Sequence, residues 1–451
     1  MKRTLAIAGA SGFIGRWFIE KYHDRYNIIA LSRSEVTDNK WSNVEWRVVD
    51  LYSLSSTKAA LNGADYALYL VHSMSPSTRL NQSSFENTDL LLADNFARSA
   101  EEAHLKQIIF VGGILPKDEN QFSKHLSSRY ETELTLGSKK TPLTALRAGI
   151  IIGPDGSSFD IVKNLTERLP VMACPQWCQS PSQPIDIDDM LSAIDVSLGN
   201  EDTYHKAIEI GSEEVVSYMD ILKMTSEAMN KKRWIFSIPF FTLGFSKLWV
   251  SLFSNSSITF VSPLIESLKH DMTVKDKTYD FEIDHLPVEK SIQKALEHEA
   301  PELPRRVRTL EEKNTVRSVQ RLPNPSDKST AWVADSYPKW LSSTFKYLIK
   351  AKLEDDKVYF KLFGVDLLEL QFIEDRSDDN RQLFFIVGGR LAKRTDYGWL
   401  EFRSVLNNEY IICAIHEFVP RLPWVIYKYT QAVVHLWVMK GFGSFLKHQK
   451  A

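Results

Sequence analysis

The stretch "TLAIAGASGFIGRWF", residues 4–18, constrains the fold more than any other part of the chain. An apolar run enters three glycines at three-residue spacing, Gly9, Gly12 and Gly15, and an amphipathic stretch comes next. That order spells a strand, a tight turn and the mouth of a helix. Gly9 permits the turn, Gly12 lets the backbone approach a diphosphate, and Gly15 lets the helix lie close on the strand. The amides of the turn, with Ser11, Phe13 and Ile14 between the glycines, would then face negative charge at a helix N-terminus. Two basic residues before an apolar run also mimic a signal peptide. The run is short and leads into glycines instead of a cleavage site, so a buried first strand is the expectation.

Beyond this helix the chain keeps alternating. "NIIALS", "VEWRVVD", "YALYLVH", "QIIFVGG", "LTALRAGIIIG" and "HKAIEIG" are separated by stretches long enough for helices. Runs apolar on both faces belong to a parallel sheet covered by helices. The fold class expected is α/β, a Rossmann-like doubly wound parallel sheet over residues 1–230. Ser217 and Asp220 predict an N-cap and its reciprocal partner. Residues 231–298 read as a helical, aromatic-rich extension on the substrate side. Within it "WIFSIPFFTLGFSKLWVSLF" (234–253) has the length of a membrane span, but Pro239, Gly244 and Lys247 interrupt it, so a buried or interfacial segment is expected.

Residues 299–330 carry four prolines and dense charge, which marks a linker or surface strap. Its arginines (Arg305, Arg306, Arg308, Arg317 and Arg321) could grip an anion or face water. From 331 to 451 the candidate strands alternate polar and apolar residues. They predict an antiparallel sheet with one packed and one wetter face. Leu400, Phe402 and Ser404 share one face, and Asn407 and Asn408 supply a tight hairpin. Ile426, Tyr429, Val433 and Trp437 recur at helical spacing in a last segment read as one long helix. A curved sheet closed by such a helix is an α+β helix-grip arrangement, which usually encloses an apolar cavity. Arg381, Glu401, Arg403 and His416 fall on strands and are expected mostly to face water. Trp424, Tyr427 and Trp437 are expected in the core.

Composition narrows the partners. The net charge of −2 gives no basic stripe for nucleic acid. Three cysteines build no disulfide framework, and Cys174 and Cys178 have no second pair at zinc spacing, so no metal site is expected. A reducing compartment fits. The expectation is a cytoplasmic protein, with peripheral contact to the inner membrane left open.

The second strand ends at Ser32 and Arg33, without the carboxylate that would hold a ribose 2′-hydroxyl. An arginine there suits a 2′-phosphate, so NADP(H) is favoured over NAD(H); a plain surface arginine is the alternative. Asp50 and Leu51 come directly after the third strand. They could flank an adenine, or Asp50 could cap the next helix.

These residues resemble the short-chain dehydrogenase/reductase superfamily in its extended and atypical branch. "YALYLVHSM", "NFARSAEEAHLKQIIFVGGILP", "HLSSRYE", "LRAGIIIGPDGSSFDIVKNLTERLPVM" and "QPIDIDDM" are similar to an atypical bacterial group. That group is related to NmrA-like proteins and to the nucleotide-binding accessory subunit of respiratory complex I. The tail from "LEFRSVLNNEY" onward resembles a domain of unknown function fused to that group, placed among the START/Bet v 1-like (SRPBCC) helix-grip folds. The resemblance implies that Val71, His72 and Ser73 lie along the cofactor, although His72 could equally be satisfied inside the fold. It also implies that Arg147 and Ile151–Gly153 lie near the cofactor cleft. Asp186, Asp188 and Asp189 are read as helix-capping residues.

The family's catalytic set does not carry over. Gly112 and Gly113 stand where its serine would be, and His125 and Arg129 stand at the spacing of its tyrosine and lysine. Tyr130 is turned by about 100° from that face. His125 and Arg129 could form an acid/base pair; a polar helix face bordering the nucleotide is the preferred reading. Three functions are compatible with this sequence. One is an NADP(H)-dependent oxidoreductase or isomerase acting on a hydrophobic, quinone- or lipid-like molecule. The others are a non-catalytic NADP(H)-responsive sensor and a hydrophobic-ligand carrier.

Overall fold

The computed structural model describes residues 2–73, 80–238, 266–267, 270–275, 279, 281–302, 305, 307, 315–346, 348–393 and 398–449. The chain divides into two compact units. The first is Met1–Met74 with Asn95–Arg308; the second is Ser75–Asp94 with Thr309–Ala451.

The elements of the first unit begin β1 (Thr4–Ala8), α1 (Phe13–Tyr22), β2 (Asn27–Ser32), β3 (Val44–Val48), α2 (Leu54–Leu61) and β4 (Tyr66–Tyr69). The short strand β5 (Leu80–Gln82) belongs to the second unit, and the division between units falls within α3 (Phe85–Glu102). Next come β6 (Gln107–Gly113), α4 (Lys124–Leu136), β7 (Leu143–Ala148), β8 (Ile151–Ile152), α5 (Ser157–Arg168) and β9 (Val171–Pro175). After them stand β10 (Pro181–Ser182), β11 (Ile185–Asp186), α6 (Ile187–Ser197), β12 (Lys206–Ile210), β13 (Val216–Ser217), α7 (Tyr218–Ala228), β14 (Trp234–Ile238) and α8 (Val288–Glu297).

Seven strands form one parallel sheet in the order β3-β2-β1-β4-β6-β7-β12. The strand order reverses between β1 and β4, which opens a crevice at their carboxyl ends. All four residues of β4 and the last four of β1 are buried. Such strands need helices on both faces, which is why the chain alternates as it does. Ser217 caps α7 in a capping box with Asp220, as the sequence predicts. Trp234–Ile238 is not helical: it pairs in parallel with β9, where Trp, Ile and Phe suit an extended backbone. Residues 239–253 of the span-length segment lie outside the described residues.

The second unit adds β15 (Val316–Pro323), α9 (Thr330–Thr344), β16 (Ile349–Glu354), β17 (Lys357–Leu362), β18 (Val365–Phe372) and β19 (Arg381–Gly388). It closes with β20 (Trp399–Val405), β21 (Tyr410–Phe418), α10 (Trp424–Tyr429) and α11 (Gln431–Lys447). Its sheet runs β16-β17-β18-β19-β20-β21-β15-β5, antiparallel except for β15 with β5. The stretch expected to be a linker therefore contains a sheet strand, β15. Upstream of it, Thr37 N bonds Arg305 O and Val307 N bonds Glu35 O, which ties Arg305 and Val307 to the segment after β2. Arg306 and Arg308 lie outside the described residues.

One face of the antiparallel sheet packs on α9 and α11. The Tyr337 ring sits 6.0, 5.8 and 5.1 Å from those of Phe360, Phe402 and Phe442, filling the space at that level. Leu406, Asn407 and Asn408 all take left-handed φ in the β20–β21 hairpin. The terminal helix is two helices, because Thr430 (φ −125, ψ −85) breaks it. The stripe Ile426, Tyr429, Val433 and Trp437 faces solvent; Ala432, Val438, Met439, Phe442 and Leu446 face the core instead.

Candidate functional site

The glycine turn sits at the crevice. Gly9 has φ +89, and its O accepts from Gly12 N at 2.8 Å. A Cβ on Gly15 would come within 2.5 Å of Gly9 O and 2.8 Å of Ala10 Cα, so only glycine lets α1 start that close to β1. Gly12 is the N-cap of α1 and supplies no side-chain acceptor. The first turn of α1 therefore begins without a side-chain cap. Gly153 packs on Phe13: a Cβ there would meet its ring at 3.0 Å.

At the end of β2, Ser32 is buried and its hydroxyl accepts from Ser34 N. Arg33 is exposed and makes no hydrogen bond or ion pair among the described residues. Beside the turn is a cleft of about 380 Å³ whose lining includes Ala10, Arg16, Lys40, Trp41, Trp46 and Arg305. Arg16, directly after the last glycine, was not singled out by the sequence. It donates to Pro301 O and pairs with Asp155 at 3.2 Å. Asp50 does not cap α2, since Ser53 does; Asp50 accepts from Tyr52 N and so fixes the turn before the helix. Leu51 is half-buried, and its carbonyl is held by Asn95 at 2.8 Å.

Past the end of β4, Val71, His72 and Ser73 are all partly exposed. His72 Nε2 lies 3.2 Å from His125 Nδ1, with ring centroids 5.0 Å apart. His125 is the second residue of α4, which Ser123 caps. The sequence marks both histidines, but only the fold brings them together. Arg129 is buried. Its guanidinium donates to Val71 O at 3.1 Å and to Val111 O, and lies 4.4 Å over the Phe110 ring. It clamps β6 and the segment just past β4. At Gly112 a Cβ would meet Phe110 at 3.1 Å. Tyr130 packs edge-on to Phe122 at 5.6 Å. Arg147 makes two bonds to Glu133, at 3.0 and 2.6 Å, bracing β7 to α4.

Asp186 caps α6 by accepting from Asp188 N. Asp186 and Asp188 both pair with Lys294, and Asp188 also with Lys21. Asp189 accepts from Leu286 N. Cys174 and Cys178 are buried thiols in the core under α5 and α7.

The four polar strand residues expected mostly to face water do not. Glu401, Arg403 and His416 are completely buried, and Arg381 nearly so. Glu401 accepts from Arg381 Nε at 2.6 Å and Arg403 Nη2 at 3.0 Å, with His416 Nε2 at 3.1 Å. Arg403 Nη1 pairs with buried Asp94 at 2.8 Å. Burial alone would push the Glu401 carboxyl up, but Arg403, Arg381 and His416 hold it well below the usual carboxylate range. These residues share one sheet face at consecutive strands, a signal visible only once the register is known.

A family model described as NAD(P)H-binding matches residues 9–151. The auxiliary protein GraX of Staphylococcus aureus is 28% identical over 148 residues, 32% of this chain and 43% of GraX. The chain thus matches less than half the length of that relative. A nucleoside-diphosphate-sugar epimerase from Staphylococcus aureus aligns at 15% identity with a TM-score of 0.51, over 65% of this chain and all of that one. Triphenylmethane reductase from Citrobacter sp. aligns at 17% identity and a TM-score of 0.51, with the same coverage. These likenesses show the fold. The first unit has the Rossmann-like fold that these solved structures share, and its residues 9–151 are the ones that match the NAD(P)H-binding model.

Proposed function

We propose that the protein is an NADP(H)-dependent oxidoreductase or isomerase acting on a hydrophobic small molecule, with His72 and His125 as its proton-handling pair. The observation that carries this is the 3.2 Å approach of the two imidazoles beside the strand-order reversal. The amides of Ser11, Phe13, Ile14 and Gly15 would hold the diphosphate, while that of Gly12 donates to Gly9 O. Arg33, with Arg305 near the same cleft, holds the 2′-phosphate, which favours NADP(H) over NAD(H). Asp50 and Leu51 flank the adenine, and Val71, His72, Ser73 and Gly112 line the nicotinamide side. Bound there, the dinucleotide supplies or accepts hydride. His125 gives or takes the matching proton, and His72 correspondingly restores or removes it through their shared hydrogen bond. Arg129 positions α4 and touches neither substrate nor proton. Stopped-flow oxidation of bound NADPH with quinones, enals and triphenylmethane dyes tests the reading. Turnover that falls at least tenfold in His125→Gln supports it; silence with every acceptor, while NADPH binds, overturns it.

A second reading is favoured by one observation. Beyond Ser73 the chain runs on to β5, the edge strand of the second unit's sheet. Cofactor occupancy at residues 71–73 could then be relayed along the chain without any reaction. Calorimetry with NADP+ and NADPH decides it, because equal affinities shift no equilibrium. For the second unit we propose a START-like helix-grip fold, on the strand order of its sheet and its terminal helices. Solvent extraction and mass spectrometry would detect an apolar ligand, as a carrier role requires.

A further inference from the structure

The last helices expose what helices normally hide. Val425, Ile426 and Tyr429 on α10, and Val433, Val434 and Trp437 on α11, are each between 50 and 70% exposed. In each helix the three residues stand at i, i+1 and i+4, so they share one face. The surface continues beyond the helices. The Trp437 ring lies 5.7 Å from Phe345, Phe345 O accepts from Leu348 N, and Leu348 O accepts from Phe363 N. Phe363 is 75% exposed and has φ +49 at a hairpin tip. A left-handed backbone costs an L-residue roughly 1–2 kcal/mol, and this ring buries little within the molecule in return.

Charge along the two helices is one-sided, while at the β17–β18 tip Asp366 is paired with Lys361 at 3.1 Å. Residues 419–451 contain no Asp or Glu, while Arg421, Lys428, Lys440, Lys447 and Lys450 lie among them. At the chain's average of 57 carboxylates in 451 residues, the same stretch would carry about four. Lys346 and Lys350 are exposed beside Leu348. Among the described residues no helix is long and apolar enough to cross a membrane. An amphipathic face with Trp and Tyr on its apolar side and lysines at its rim suits the headgroup boundary of an anionic bilayer. We infer that the second unit docks on an anionic lipid surface through α10, α11 and the β17–β18 tip, lying on the membrane without spanning it.

The test is co-sedimentation of the full chain with vesicles of phosphatidylglycerol and phosphatidylcholine in equal parts, against phosphatidylcholine alone. The wild type is expected to bind the anionic vesicles more tightly. The double variant Tyr429→Ser, Trp437→Ser should lose about tenfold or more in partitioning. Lys440→Glu with Lys447→Glu should abolish the preference for anionic lipid. All four side chains are exposed, so unchanged thermal unfolding checks that the variants fold. A wild type that binds neither vesicle overturns the inference, as does binding that survives both double variants. A dimer in light scattering that the Tyr429/Trp437 variant dissociates, without vesicle binding, assigns the face to a second copy and overturns it equally.

Discussion

The carboxyl edge of the parallel sheet and the charged face of the antiparallel sheet use polar groups in opposite ways. At the parallel edge, a helix start and an arginine are left open among the described residues. Gly12 gives α1 no side-chain cap, and Arg33 makes no hydrogen bond or ion pair among the described residues. On the antiparallel sheet, Arg381, Glu401, Arg403, His416 and Asp94 bond to one another and are sealed from water. A site keeps donors open for a ligand, whereas a core cannot leave them open. Charged residues on a strand therefore say little about binding until their neighbours are known.

The largest way to break this contrast is to remove the hub of the buried network. Glu401→Leu takes the carboxylate from Arg381 and leaves Arg403 with Asp94, and breaking such a pair costs about 3–5 kcal/mol. Urea unfolding should show that loss, while calorimetric affinity for NADPH stays unchanged; a coupled loss of both would mean the two regions are not separate in function. Acid attacks the same region more gradually. Burial pushes His435 down to about 4. Between its ordinary value near 6.5 and that value the unfolded chain binds more protons, so stability falls as pH drops through this window. Glu401, depressed in the folded state, contributes stability that is present above its ordinary value and lost below it as pH falls further. Thermal unfolding from pH 7 to 3 should trace the two steps, and His435→Gln should flatten the upper one.

At the other region the effects are on binding. Gly15→Val sets a side chain 2.5 Å from Gly9 O, so NADPH affinity should drop about a hundredfold by calorimetry. The smallest expected change sharpens the cofactor assignment. Arg33→Ala should weaken NADPH about tenfold and leave NADH unchanged. An equal loss for both would remove the 2′-phosphate from the account.

Much of the first unit was legible because its signals are local. Apolar runs, the glycine spacing and the Ser217/Asp220 box each depend on residues within a few positions. The catalytic question was less legible. His72 and His125 are 53 residues apart, and their approach depends on where β4 and α4 end. In the second unit, period-two alternation misled at β20. It assumes one wet face, but Leu400 and Phe402 are buried on one side and Glu401 and Arg403 on the other. The helical period of Ile426, Tyr429, Val433 and Trp437 is real, yet Trp437 is exposed where the sequence points to core. Periodicity names a face and not what covers it.

By itself, then, the amino-acid order determined a parallel sheet with a glycine-lined turn from strand to helix, because glycine's freedom and strand apolarity act over a few residues. Only the tertiary structure decided which charges pair, which histidines meet, where the second unit begins and which face of the last helices meets solvent. Those outcomes depend on contacts between residues far apart in the chain, and no local preference encodes them.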